Sequence, residues 1–131
     1  MRWLAYASNE SGRDEIYIQR FPEAGVRTFP LAGHRTRVSA MGGTLPHWRR
    51  DGRELFFSDR AGNIVAVDIR EDSGELNVAT PIILFNSGLG DGVAGYRYDI
   101  AADGQRFLIV KPLTAGTGQS ITVLTEWAPQ Q

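Results

Sequence analysis

The stretch that decides the fold is PHWRRDGRELFFSD, residues 46–59, in which Trp48 precedes Asp51-Gly52 and an apolar run follows. Asp-Gly supplies the positive φ that a tight hairpin needs. After the turn, Leu55, Phe56 and Phe57 are apolar at consecutive positions. A strand with one solvated face would alternate, so this run predicts a strand buried on both faces. The same order returns downstream. DGRELFFSDRAGNIVAVDI (51–69) aligns with DGQRFLIVKPLTAGTGQSITVL (103–124), setting Asp103-Gly104 on Asp51-Gly52. RWLAYASNESGRDEIYIQRF (2–21) fits the same frame, so that Leu4, Leu55 and Phe107 correspond, 51 and 52 residues apart. Upstream of the turn, LPHWRRDG matches YRYDIAADG, with Trp48 over Ile100.

A period near 50 residues with several strands per unit points to propeller blades, whose sheets stack radially and bury both faces. Strand-like runs separated by turn signals recur along the chain, and no amphipathic helix stands out. They cover 2–8, 15–21, 36–40, 45–49, 54–59, 63–69, 82–85, 96–101, 106–111 and 120–127. The expected fold is all-β: residues 1–131 form one propeller segment with blade-like units over 2–40, 45–85 and 96–127. These amount to about three four-stranded antiparallel blades. In this frame Trp48 packs between blades, while Asp51, Gly52, Asp103 and Gly104 turn hairpins.

Composition narrows the function. At 131 residues the chain suits a single domain, and 42% apolar with 22% charged residues is a globular balance. A net charge of −1 gives no general attraction to nucleic acid or anionic membrane. All but Lys111 of the 14 basic residues are Arg. The absence of Cys excludes disulfides, thiolate zinc sites and a cysteine nucleophile. No apolar run approaches the ~20 residues of a membrane helix. The N-terminal MRWLAYASNE lacks the apolar core and cleavage site of a signal peptide.

The motifs resemble a known family. GGTLPHWRRDGRELFF (42–57) looks like the Gly-Gly-x-x-Pro-x-Trp-Ser-x-Asp-Gly-(Lys/Arg)-x-(Leu/Ile) repeat of TolB-like six-bladed β-propellers, which are WD-like in their repetition. The nearest likeness is to the C-terminal propeller of bacterial membrane-anchored serine/threonine kinases and related proteins. Tyr17 through Pro22 match that group's YVQ.FP, and ATPIILF (79–85) its Gly-x-Pro-x-x-Leu-Phe. Tyr98 through Leu108 match its Tyr-Asp-Val-(Ser/Ala)-x-Asp-Gly-x-Arg-Phe-Leu. Ile121, Thr122, Val123 and Trp127 match its closing Ile-Thr-Val-x-x-x-Trp. Arg49 departs from the usual Ser, Ala101-Ala102 from Ser-Pro, and residues 26–35 look like extra length. The resemblance implies half of a six-bladed ring, a ligand-sensing or scaffolding role beside a bacterial kinase, and an extracytoplasmic or periplasmic setting.

Three blades alone leave apolar faces and open sheet edges in water, which favours association. Two arrangements would cover them: further blades of a longer protein, or a second copy closing the ring as a homodimer.

Chemical candidates are sparse. His34 and His47 are the only imidazoles, and no carboxylate stands at metal-ligand spacing from them. GLGDGVAG (88–95) joins two strands, with no helix to present its N-terminus to phosphate, and AGTGQS (115–120) lacks a phosphate-binding Lys. There is no Gly-x-Ser-x-Gly. The pairs Asp14-Glu15 and Glu71-Asp72 read as solvated acids, DIREDSGE (68–75) as at best a weak cation site, and Arg35, Arg37, Arg49, Arg50 and Arg53 as a solvated face. No catalytic, metal or cofactor residue is assigned. Because innermost strands line a propeller axis, His47, Arg49, Tyr96 and Tyr98 are the candidates for a channel ligand. The expected function is a non-enzymatic module for ligand sensing or protein interaction. The alternatives are the accessory propeller of a larger enzyme, either a kinase sensor or a peptidase-gating domain, and a structural half-propeller with no ligand.

Overall fold

The computed structural model describes residues 3–20, 35–88, 97–112 and 119–125. Among these there is no helix, and every strand pairing is antiparallel. The first sheet joins β1 (Trp3–Ser8), β2 (Glu15–Arg20) and β3 (Arg35–Arg37) in that order. The central sheet runs β4 (Thr44–Trp48), β5 (Glu54–Ser58), β6 (Asn63–Asp72), with β8 (Ile82–Asn86) on the near half of β6 and β7 (Glu75–Val78) on its far half. The third sheet runs β9 (Arg97–Ile100), β10 (Arg106–Pro112), β11 (Gln119–Thr125).

The consecutive apolar residues of β5 explain how the sheets stack. Side chains alternate across a strand. Leu55 and Phe57, with Val65, Val67 and Ile69 of β6, pack on Ile16, Ile18 and Val38 from the first sheet's side. Phe56, with Ile64, Ala66 and Leu84, packs on Tyr98, Phe107 and Ile109 of the third sheet. The central sheet is therefore covered on both faces, and Phe56 and Leu55 have no measurable exposure. Burying a side chain of that size stabilises by roughly 1.5–3 kcal/mol. On the third-sheet side the rings of Phe56 and Phe85 each meet Phe107 edge to face, with centroids 5.4 and 5.2 Å away. Trp48 is half-buried against the cluster shared by the first and central sheets.

The repeat holds at the level of single hydrogen bonds. The Gly52 amide donates to the Arg49 carbonyl at 2.8 Å, and Gly104 to Ala101 at 2.9 Å. Asp51 Oδ1 accepts from the Arg53 amide at 3.0 Å, and Asp103 Oδ1 from Gln105 at 2.9 Å. The Arg49 and Ala101 amides close the two turns onto the carbonyls of Glu54 and Arg106. Every pair is 52 residues apart. Gly52 and Gly104 have φ of 75° and 71°, the left-handed region that a Cβ resists.

Strand positions differ from the sequence expectation at two places. The third strand occupies 35–37 instead of 36–40: Val38 still donates to the Ile16 carbonyl in register, but the Ile16 amide bonds the Ser39 hydroxyl oxygen, which ends the ladder there. The sixth strand continues to Asp72 and returns as β7, a strand with no counterpart among the expected runs. That far half lies beyond the reach of β5 and β8, so the polar residues Arg70, Glu71 and Asp72 are exposed on it.

Candidate binding site

Strand β4 lies against β1 on one side and β9 on the other, so it is the meeting line of the three sheets. Its backbone is irregular. Register with β5 slips between Thr44 and His47, and Leu45 has φ of 55°, a conformation that costs a non-glycine residue about 1 kcal/mol or more. Bulges re-aim side chains. Here the slip frees the Leu45 carbonyl from the ladder to accept the hydroxyl of Tyr98 at 2.5 Å, and the Leu45 side chain packs on the second core cluster. His47 comes to lie against the Tyr98 ring, with centroids 4.6 Å apart and planes tilted by 48°. Tyr98 is buried and His47 half-buried. Burial holds the His47 pKa below its ordinary value, and the Asp99 carboxylate opposes that shift. His47 is thus a neutral imidazole near pH 7, able to donate one hydrogen bond and accept another.

Of the four channel candidates, His47 and Tyr98 are brought together. Arg49 is elsewhere engaged. Its Nε and a terminal nitrogen donate to the two Asp51 oxygens at 2.9 and 2.7 Å, and Glu54 lies 3.8 Å away. This pairing raises the Arg49 pKa and, together with the Arg53 amide, lowers that of Asp51 to about 2. The Arg49 side chain also runs over Gly104 of the third sheet, where a Cβ would meet its Cδ at 3.0 Å. Arg49 therefore fastens one turn to the next. Tyr96 lies outside the described residues, as do His34 and Trp127.

The five arginines expected on one face are divided. Arg35 and Arg37 stand on β3, while Arg49, Arg50 and Arg53 flank the β4–β5 turn. Arg35 pairs with Glu10 and lies over the ring of Tyr17, 5.7 Å from its centroid.

Two features depart from the sequence reading or add to it. Glu15 is fully buried, not solvated. Its carboxylate accepts hydrogen bonds from the Ser39 hydroxyl, the Gly42 amide at 3.1 Å and Arg13 Nε at 2.8 Å. Ser39 Oγ in turn accepts from the Ile16 amide at 2.8 Å. Burial pushes the Glu15 pKa up, but these donors outweigh it and hold it below the ordinary value. The second feature is a cleft of about 550 Å³ beside the β6–β7 hairpin, walled by Trp3, Ile69 and Leu76 with Asp51 and Glu71 at its rim. Trp3 Nε1 donates to Glu71 at 2.8 Å and fixes the indole there.

Among the described residues no three His, Asp or Glu side chains converge as metal ligands do, and no helix is long and apolar enough to cross a membrane. No protein-family model, curated protein or solved structure matches the chain.

Proposed function

We propose that the chain is a non-enzymatic binding module built of β-propeller blades, and that it recognises a ligand or a protein partner along the line where β4 meets β9. The observation that carries this reading is the double coverage of the central sheet. One face packs on the first sheet and the other on the third, through positions that repeat at 51 and 52 residues. Radial stacking of equivalent sheets is the packing rule of propellers. In this frame β4 and β9 are the equivalent inner strands, β1 being the counterpart of β5, so the contact of β4 with β9 lies toward the axis. On that line stand His47 and Tyr98, a polar ring against an aromatic ring, with the Asp99 carboxylate acting on His47 through its charge from the other face of β9. Small-molecule sites combine these same elements, apolar walls with a few fixed polar groups. The sensor role beside a bacterial kinase, implied by the TolB-like motifs, belongs to the same proposal.

An amide and side-chain NMR titration with peptide and metabolite fragments tests it. Perturbations centred on His47, Tyr98 and Asp99 are expected. Binding that shifts only residues remote from β4 and β9 would overturn the assignment of the site.

A further inference from the structure

The repeat frame shows which faces of the stack are covered and which are left over. Within the central sheet, Leu55 and Phe57 face the first sheet, and Phe56 faces the third. Fifty-two residues on, Phe107 and Ile109 hold the places of Leu55 and Phe57 and pack toward the central sheet. Leu108 holds the place of Phe56, but where Phe56 has no exposure Leu108 is 37% exposed. Asp99 is its register partner on β9 and is exposed beside it. At the other end, Ala5 takes the place of Phe56 and packs inward, whereas Leu4 and Tyr6 take the places of Leu55 and Phe57 and turn away from the stack.

That outward face of the first sheet has the chemistry of an interface more than of a core. Tyr6 stacks on Tyr17 at 5.8 Å, Tyr6 hydroxyl donates to Gln19 at 3.2 Å, and Arg37 stands opposite Tyr17 in the register. Tyrosine and arginine are the residues enriched where protein surfaces meet. Tyr17 and Gln19 are already buried in this layer and Arg35 is held by Glu10 and the Tyr17 ring, which leaves the half-buried Leu4 and Tyr6 and the exposed Arg37 to meet a partner.

We infer that a second copy of the chain docks here, the Leu108 face of each molecule covering the Tyr6 face of the other. The junction would repeat between molecules what already occurs twice within one: the Phe56-equivalent face of one sheet against the Leu55- and Phe57-equivalent face of the next. Asp99 on one side and Arg37 on the other are of opposite charge, which favours this pairing over Leu108 face on Leu108 face. Two reciprocal junctions close a two-fold pair of six sheets. The inference rests on the propeller reading and names the partner that completes the stack.

Light scattering over a hundredfold concentration range should give twice the chain mass of 14.5 kDa, and Leu108→Glu should reduce it to one chain with an unchanged far-UV spectrum. A single-chain mass for the native protein, or open-ended growth, would overturn the closed pair. Because the chain has no Cys, crosslinking can test the geometry without disruption. A mixture of Leu108→Cys and Tyr6→Cys molecules should link with a short bis-maleimide, and neither alone should. Linking of Leu108→Cys to itself would overturn the head-to-tail arrangement. A folded monomer would leave the propeller reading standing. That reading fails separately, if Phe56→Ala proves harmless to folding.

Discussion

Gly104 holds in the third sheet the turn position that Gly52 holds in the central one, yet only Gly104 is covered, by the side chain of Arg49 that Asp51 keeps in place. The two glycines share a left-handed backbone, so alanine at either should cost about 1–2 kcal/mol from the backbone alone. Gly104→Ala carries a further cost, because its Cβ falls 3.0 Å from Arg49 Cδ whereas that of Gly52 meets nothing within 4 Å. Urea unfolding should therefore rank Gly104→Ala below Gly52→Ala. Adding Arg49→Ala should recover part of the difference at Gly104 and none at Gly52. Equal costs would mean that the turns do not touch as described.

The buried Glu15 predicts a specific acid sensitivity. Its folded pKa lies below the ordinary 4.5. The stability it contributes is therefore complete above about 4.5 and is lost as pH falls through the folded value. Glu15→Gln should flatten that limb of the stability–pH curve. Glu15→Ala, which strands the Gly42 amide and the Ser39 hydroxyl without an acceptor, should cost roughly 1–3 kcal/mol at neutral pH. A wild-type curve that already lacks the acid limb would count against the network.

What could be read in the sequence follows the range of the interactions. The turns were legible because Asp-Gly acts within four residues, and the stacking was legible because Leu55, Phe56 and Phe57 cannot all face one side of a strand. The return strand β7 was not, since ELNV offers only two apolar residues and pairs with the part of β6 that leaves the sheet. Glu15 departs from the solvated acid its sequence suggests for a different reason. Its burial depends on Ser39 and Gly42, 24 and 27 residues away, and nothing beside it in the chain signals them. Arg49 did carry a signal: a cation two residues before the acid of its own turn, in reach of a bidentate pair. The meeting of His47 with Tyr98 needs the slipped register at Leu45, which composition does not announce.

His47 makes a prediction in a higher pH range. Its folded pKa is held below 6.5 by burial, so the unfolded chain binds the proton more readily. Its contribution is complete above about 6.5 and is lost as pH falls through the folded value. Imidazole resonances followed by NMR should titrate below the ordinary histidine range, and His47→Gln should remove the corresponding slope in stability. A titration at or above 6.5 would place the ring in water or closer to Asp99 than to Tyr98, and would weaken the case for a preformed site.

The two faces of the central sheet should also behave as two separate interfaces. Phe56 and Phe107 meet edge to face across one of them, while Phe57 lies in the cluster on the other. Truncating each ring to leucine removes buried carbon and should cost about 1–2 kcal/mol apiece. The pair Phe56→Leu and Phe107→Leu should couple by about 0.5–1.5 kcal/mol, the increment expected for an aromatic contact beyond its area. Phe57→Leu combined with Phe107→Leu should instead be additive, because the β5 backbone separates the two clusters and side-chain repacking on one face does not reach the other. Coupling of the second pair as strong as the first would mean that the layers share one core, and the radial arrangement of sheets would lose its main support.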